Sequence, residues 1–210
     1  MAVVGAFSEW LGLPLGEYDI ANLAYSIERE DLKLAGGKQD QYAATFGGFN
    51  FMEFFAEGKV IVNPLRLKDY YTETSRKSSD IIQLQQKNVQ QKNEQSIEAM
   101  HKLKEQAIMM KEALLRNDLD EVGNILNIGW EYKKQMAKGI TTKLFEDVYA
   151  SALKAGAIGG KISGAGGGGY IFFYCPNQSR YKVIESLSKF GGTVRRFEFT
   201  KTGLKTWKNQ

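Results

Sequence analysis

The chain has 210 residues, 43% hydrophobic and 25% charged, with 28 Lys and Arg against 24 Asp and Glu for a net charge of +4. That composition supplies one large core or two modest ones, and its mild, interspersed positive charge lacks the basic stripe that reads nucleic acid. A single cysteine, Cys175, excludes an internal disulfide and a Cys-rich metal site and points to the cytoplasm, while no apolar run approaches the length of a membrane span.

MAVVGAFSEWLGL, residues 1–13, reads as an amphipathic helix that begins without a capping residue, which predicts that Met1 lies inside a longer protein. GLPLGEYD is a turn with Asp19 as expected N-cap, and apolar residues at 20, 23, 24 and 27 continue a second helix. LAGGKQDQYAATFGG, residues 34–48, reads as a Gly-rich loop enclosing polar residues, and NFMEFFAEGKVIVNPL as a hairpin turning at Glu57-Gly58. A domain boundary is expected between Pro64 and Lys68. From Ser75 to Ala155 the pattern is helical, with Ile97, Met100, Leu103, Ala107, Met110 and Leu114 expected on one buried face. The Gln- and Lys-rich stretch 81–95 and His101 read as solvated helix surface. Asp118 and Glu121 have capping-box spacing, Thr141 or Thr142 can cap TTKLFEDVYASALKAG, and Gly156 stops it. Strand YIFFYC, helix SRYKVIESLSKFG and strand TVRRFEFT complete an α+β region.

Three stretches could carry chemistry. In GGKISGAGGGGYIFF, residues 159–173, seven of the eleven positions from Gly159 to Gly169 are glycine. The stretch has no Gly-Lys-Ser/Thr ending, and it precedes a strand where a dinucleotide fingerprint would follow one. Two readings stay open: a tight loop whose backbone N–H groups face an anion, or a close packing crossing. Asp40, among Lys38, Gln39 and Gln41, is either a solvated turn residue or a base. Glu28, in SIERE, is either a surface carboxylate beside Arg29 or a hard oxygen ligand for Mg²⁺. Together the two carboxylates supply parts that phosphoryl transfer requires.

GGKQDQYAATFGGFNFMEF and GGKISGAGGGGYIFF together resemble two of the three signature regions of the superfamily of galactokinase, homoserine kinase, mevalonate kinase and phosphomevalonate kinase. Within it they are most similar to the branch acting on D-glycero-D-manno-heptose 7-phosphate. The resemblance implies an α+β, two-domain fold. Residues 1–66 would be the remnant of an incomplete N-terminal domain of the ribosomal protein S5 domain 2 type, and residues 67–210 a ferredoxin-like C-terminal domain with extra helices. It implies ATP and Mg²⁺ as cofactors, a phosphorylated sugar as substrate, no nucleic-acid or membrane partner, and room for a homodimer. Asp40 would take the proton of the sugar hydroxyl and Glu28 would hold Mg²⁺. Ser163, Gly164, Ala165, Gly166, Gly167 and Gly168 would approach the nucleotide phosphates, with backbone amides, Ser163's among them, as donors.

The family's Gly-Leu-Gly-Ser-Ser-Ser phosphate loop would stand immediately before a helix like AVVGAFSEWLGL, and an apolar strand would separate NPLRLKD from YYTETSR. The chain shows neither, so it is expected to be a fragment or shortened form without phosphoryl transfer by itself. In TETSRKSS, residues 72–79, hydroxyls and cations precede an expected helix start, and Arg76, with Lys38 and Gln39, is expected to bind the phosphorylated sugar. A noncatalytic sugar- or nucleotide-binding protein of the same fold, or a kinase for fucose or galactose, is the alternative.

Overall fold

The computed structural model describes residues 1–65, 85, 87–91, 93–164, 170–194 and 200–208. It divides into two compact units, residues 1–69 with 199–210, and residues 70–198. The stretch 200–208, which a division at 66/67 assigns to the second domain, therefore belongs to the first.

In the first unit, α1 (Ala2–Leu11) ends at Gly12 in the left-handed conformation, with the Leu13 N–H donating to the Ser8 carbonyl. α2 (Glu17–Ser26) is capped by Gly16, not Asp19. Asp19 sits three residues inside, where its Oδ2 accepts the Gly16 N–H at 2.9 Å. The helix runs into a π-helical turn, Ile27–Asp31, in which the Leu32 N–H reaches back to the Ile27 carbonyl. The presumed Gly-rich loop contains a helix, α3 (Gln39–Phe46), bounded by Gly47 at φ +61°. β1 (Phe49–Phe54) and β2 (Val60–Leu65) form the antiparallel hairpin, turning through Gly58 at φ +86°. Ala21, Tyr42 and Val62 form the core with Phe46, Met52 and Val60 around them. Tyr18 lies edge-on to Phe46 at 4.9 Å, and its hydroxyl accepts the Val62 N–H at 3.0 Å.

The returning segment 200–208 is pinned by backbone bonds, Gly48 N–H to the Thr200 carbonyl at 2.9 Å and Leu204 N–H to the Thr45 carbonyl at 3.0 Å. Contact here is backbone on backbone: a Cβ on Gly203 would fall 1.9 Å from the Thr45 oxygen.

In the second unit, α4 (Glu94–Arg116) and α5 (Leu119–Met136) make an antiparallel hairpin. Asn93 caps α4, Asn117 ends it at φ +60°, and Asp118 caps α5 by accepting the Glu121 N–H at 3.1 Å. The buried residues of α4 are Ser96, Ala99, Gln106 and Ala113, with Ala107 exposed, so the stripe is rotated from the expected one. α6 (Lys143–Lys154) is capped by Thr142 and ends before Gly156 at φ +108°. The first part of the glycine-rich stretch is not loop but strand: β3 (Gly159–Ile162) pairs antiparallel with β4 (Ile171–Tyr174), and α7 (Ser179–Ser188) follows. Of the expected strand 193–200, residues 195–199 lie outside the described ones, and Thr193, Val194 and Thr200 are not in a strand. Trp130, Ala137, Ile140, Tyr149 and Ile162 form the main core, and Ala152, Ala157 and Val183 a second one under α7.

α5 crosses β3 at very short range. A Cβ on Gly159 would lie 2.0 Å from the Gly123 carbonyl oxygen and 2.7 Å from the Asn127 nitrogen. For Gly159 the packing alternative is therefore the correct one. Tyr149 locks the crossing: its Oη accepts the Gly160 N–H at 3.1 Å and lies 3.0 Å from Asn127 Oδ1. Burial pushes this phenol up to about 12, with the Gly160 bond working against it.

Candidate functional site

In the first unit the site is built where the π-helical turn after α2 meets the start of α3. Glu28 lies in that turn. Gln41, 2% exposed, donates from Nε2 to Glu28 Oε2 at 2.7 Å, and the Arg29 guanidinium lies 3.4 Å from the same oxygen. Arg29 also holds the chain between the turn and α3, donating to the carbonyls of Ala35 at 3.3 Å and Gly37 at 3.4 Å. Asp40 is the residue before Gln41, in the first turn of α3 and exposed to solvent. The structure thus joins Glu28 to the immediate neighbour of Asp40.

A carboxylate held on one oxygen, with contacts to Oε2 that leave Oε1 for a cation, fits Mg²⁺. That ion keeps several waters and takes one or two carboxylates together with substrate phosphates. No cluster of three metal-ligating side chains occurs among the described residues, so Glu28 would be one ligand of an open site.

Lys38 is already engaged. Its ammonium donates to the Gly58 carbonyl at 3.3 Å and lies over the Tyr25 ring at 4.8 Å, tying the start of α3 to the hairpin turn. Gln39 opens α3 and is exposed. Arg76 lies outside the described residues.

In the second unit, the Ser163 amide donates to the Tyr170 carbonyl at 2.8 Å, extending the β3–β4 ladder. That amide is not available to an anion, which corrects its expected role and leaves the hydroxyl. Gly164 follows at φ +75°, while Ala165, Gly166, Gly167 and Gly168 lie outside the described residues. The Gly164 carbonyl accepts from the Lys133 ammonium. Cys175 is half-buried and its thiol is pushed up by burial, as suits an inert thiol. A cleft of about 430 Å³ opens between the N-terminal end of α4 and the C-terminal end of α5, and among the described residues none of the sequence-predicted site residues lines it.

Gln41 and Lys133 escaped the sequence reading. Gln41 looked like one polar loop residue among several, and only the helical phase of α3, which buries Gln41, Tyr42 and Thr45 together, distinguishes it. Lys133 sits in EYKKQM, where two adjacent lysines look alike, although Lys134 pairs with carboxylates and Lys133, among the described residues, does not.

Two family models match the chain, the N-terminal domain of GHMP kinases over residues 1–48 and the C-terminal part of GHMP kinases over residues 110–193. The chain is 47% identical over 99% of its length to the D-glycero-alpha-D-manno-heptose 7-phosphate kinase of Campylobacter jejuni, and spans 64% of that relative. A crystal structure described as a D-glycero-D-manno-heptose 1-phosphate kinase from Bacteroides thetaiotaomicron is 39% identical, with a TM-score of 0.70 over 97% of this chain and 60% of that one. Mevalonate kinase of L. major, at 20% identity, shares the fold with a TM-score of 0.72 over 95% of this chain and 63% of its own. The chain thus spans less than two thirds of these relatives. With both signature stretches in place, matched at both ends and superposable on solved kinases, the chain belongs to the GHMP kinase family and has its α+β fold.

Proposed function

We propose that the protein acts as an ATP-dependent sugar kinase, transferring the γ-phosphate to the anomeric hydroxyl of a heptose 7-phosphate in the making of a nucleotide-activated heptose. The observation that carries this reading is the Gln41–Glu28 bond, which ties a carboxylate suited to Mg²⁺ to the residue adjoining a solvent-facing Asp40. In this reading Asp40 accepts the hydroxyl proton as the sugar oxygen attacks phosphorus, and Gln41 and Arg29 fix the orientation of the Glu28 carboxylate. Mg²⁺, when bound, supplies charge neutralisation at the transferring phosphate. The Ser163 hydroxyl, Gly164 and residues 165–168 approach the nucleotide phosphates, and Lys38, Gln39 and Arg76 serve the sugar side. The identity to a heptose 7-phosphate kinase supports the choice of sugar. Cytoplasmic residence accords with these substrates.

The two heptose-kinase relatives are named for phosphates at different carbons, so the test must identify the product. The protein from the full reading frame that carries this sequence, given ATP, Mg²⁺ and D-glycero-D-manno-heptose 7-phosphate, is expected to yield a bisphosphate whose second phosphorus couples to the anomeric proton in the ³¹P spectrum. Transfer to galactose or fucose in preference makes it a plain sugar kinase. Binding of the sugar phosphate without transfer makes it a noncatalytic member of the fold.

A further inference from the structure

The close crossing of α5 over β3 fixes more than packing. From the contact of Gly123 with Gly159 the two elements run side by side in the same direction. Ten residues of helix advance about 15 Å and five of extended chain about 16 Å, so the elements keep step and Lys133 arrives beside Gly164, whose carbonyl it contacts. Alternation along β3 puts Lys161 on the same side as Gly159, the side that α5 crosses. The charged group felt by Lys133 is Lys161, whose positive charge adds to the effect of burial in pushing Lys133 down to about 8. Lys161 shifts in the same direction, although much of its side chain stays in solvent.

The next lysine on the helix shows the contrast. Lys134 lies 2.8 Å from Glu131 and 3.3 Å from Glu146. Among the described residues, neither Lys133 nor Lys161 forms an ion pair with a carboxylate. Two ammonium groups gathered at the stem of a glycine-rich stretch, partly out of water and without a protein counter-charge, are an unfavourable arrangement that a bound anion would reverse.

We propose that Lys133 and Lys161 form a phosphate-binding pair at the N-terminal stem of the glycine-rich stretch, taking either the terminal phosphate of the nucleotide or the phosphate monoester of the sugar. Lys133 approaches the anion from the helix and Lys161 from the strand, and the contact with Gly164 holds the Lys133 ammonium in position. The proposal rests on the kinase reading only for the choice of ATP and heptose 7-phosphate as probes; pyrophosphate tests the pair without it.

The experiment is calorimetric titration at pH 7 of the full-reading-frame protein and its K133Q, K161Q, K133R and K133Q/K161Q variants with pyrophosphate, ATP, heptose 7-phosphate and unphosphorylated heptose. Loss of one charge-assisted contact predicts a roughly tenfold or greater weakening of pyrophosphate binding in each Gln variant, largely restored in K133R. A parallel loss for ATP assigns the pair to the nucleotide. A loss for heptose 7-phosphate, with ATP and unphosphorylated heptose unmoved, assigns it to the sugar phosphate. Near-UV circular dichroism verifies folding, and if K133Q fails to fold, the exposed Lys161 position carries the test. Wild-type affinity for every phosphorylated probe in a folded double variant, or in K161Q if the Lys133 variants do not fold, overturns the pair, as does failure of the wild type to bind any of them. Lys133-dependent pyrophosphate binding without turnover of heptose 7-phosphate removes the kinase proposal and leaves the site standing.

Discussion

Lys133 holds its proton less tightly in the folded protein than in the unfolded chain, at about 8 against 10.5. Below pH 8 both states are protonated and the fold bears the whole penalty of a charge drawn out of water beside another. Between 8 and 10.5 the folded protein releases the proton while the unfolded chain keeps it, so stability rises with pH over that window. Tyr149, raised from 10 to about 12, works the other way, keeping its proton while the unfolded chain loses it, so stability falls between those values. Urea unfolding of Lys133→Met against wild type isolates the first effect: the variant is expected to gain about 1–3 kcal/mol at pH 7 and to lose the rise above pH 8. In the first unit, the proposed kinase activity predicts that Asp40→Asn in the full-reading-frame protein lowers kcat by about 10²- to 10⁴-fold with ATP affinity kept. Wild-type turnover there would remove Asp40 from the chemistry. Glu28→Gln should raise the Mg²⁺ concentration for half-maximal rate, since an amide is the weaker ligand, and an unchanged Mg²⁺ titration would return Glu28 to its contacts with Gln41 and Arg29.

At the scale of the element, the crossing of α5 over β3 tolerates no side chain at Gly159. A methyl there would sit 2.0 Å from a carbonyl oxygen, and backbone cannot swing aside as a flexible side chain can. Gly159→Ala is therefore expected to cost the second unit about 3 kcal/mol or more, read as a lowered unfolding midpoint. Thr142→Ala removes a single cap and should cost about 1 kcal/mol. How legible these elements are in the sequence depends on what they bury. α5 and α6 carry apolar residues at the right period and their own caps, and β4 is a run of aromatic and β-branched residues, so they can be read directly. α3 cannot, because its buried face is Gln41, Tyr42 and Thr45 and its flanks are glycine, which together imitate a loop. The stripe of α4 was misphased for a related reason: small and polar residues, Ser96, Ala99, Gln106 and Ala113, are buried where the larger side chains beside them are only partly covered. Gly129 on α5, where a Cβ would meet the Gln106 amide oxygen at 2.7 Å, shows how tightly that face packs. For the candidate site, Asp40 and Glu28 stand out in the sequence by residue type alone, while the Gln41 bridge and the stepping of α5 along β3 depend on contacts that leave no periodic trace.

At the scale of the whole molecule, the first unit is assembled from two separated stretches of chain, residues 1–69 and 199–210. No local pattern announces this, since the bonds joining Thr45 to Leu204 and Gly48 to Thr200 span most of the sequence. Gly203→Ala, with its Cβ 1.9 Å from the Thr45 oxygen, is expected to lower the melting of the first unit while amide exchange in α5 and α6 stays as in wild type. Equal loss of protection in both units would show that they unfold together.

The return of residues 200–208 to α3 also sets an order for synthesis. The helices and hairpin made first must wait, with the face of α1 at Gly5 that Leu204 and Thr206 cover still in water, while residues 70–198 are translated. Only then can the segment that bonds to Thr45 and Gly48 leave the ribosome. The sequence of the second unit thus becomes available in one piece before the first can close, and a nascent chain stalled short of residue 200 would present an unfinished first unit to chaperones and proteases.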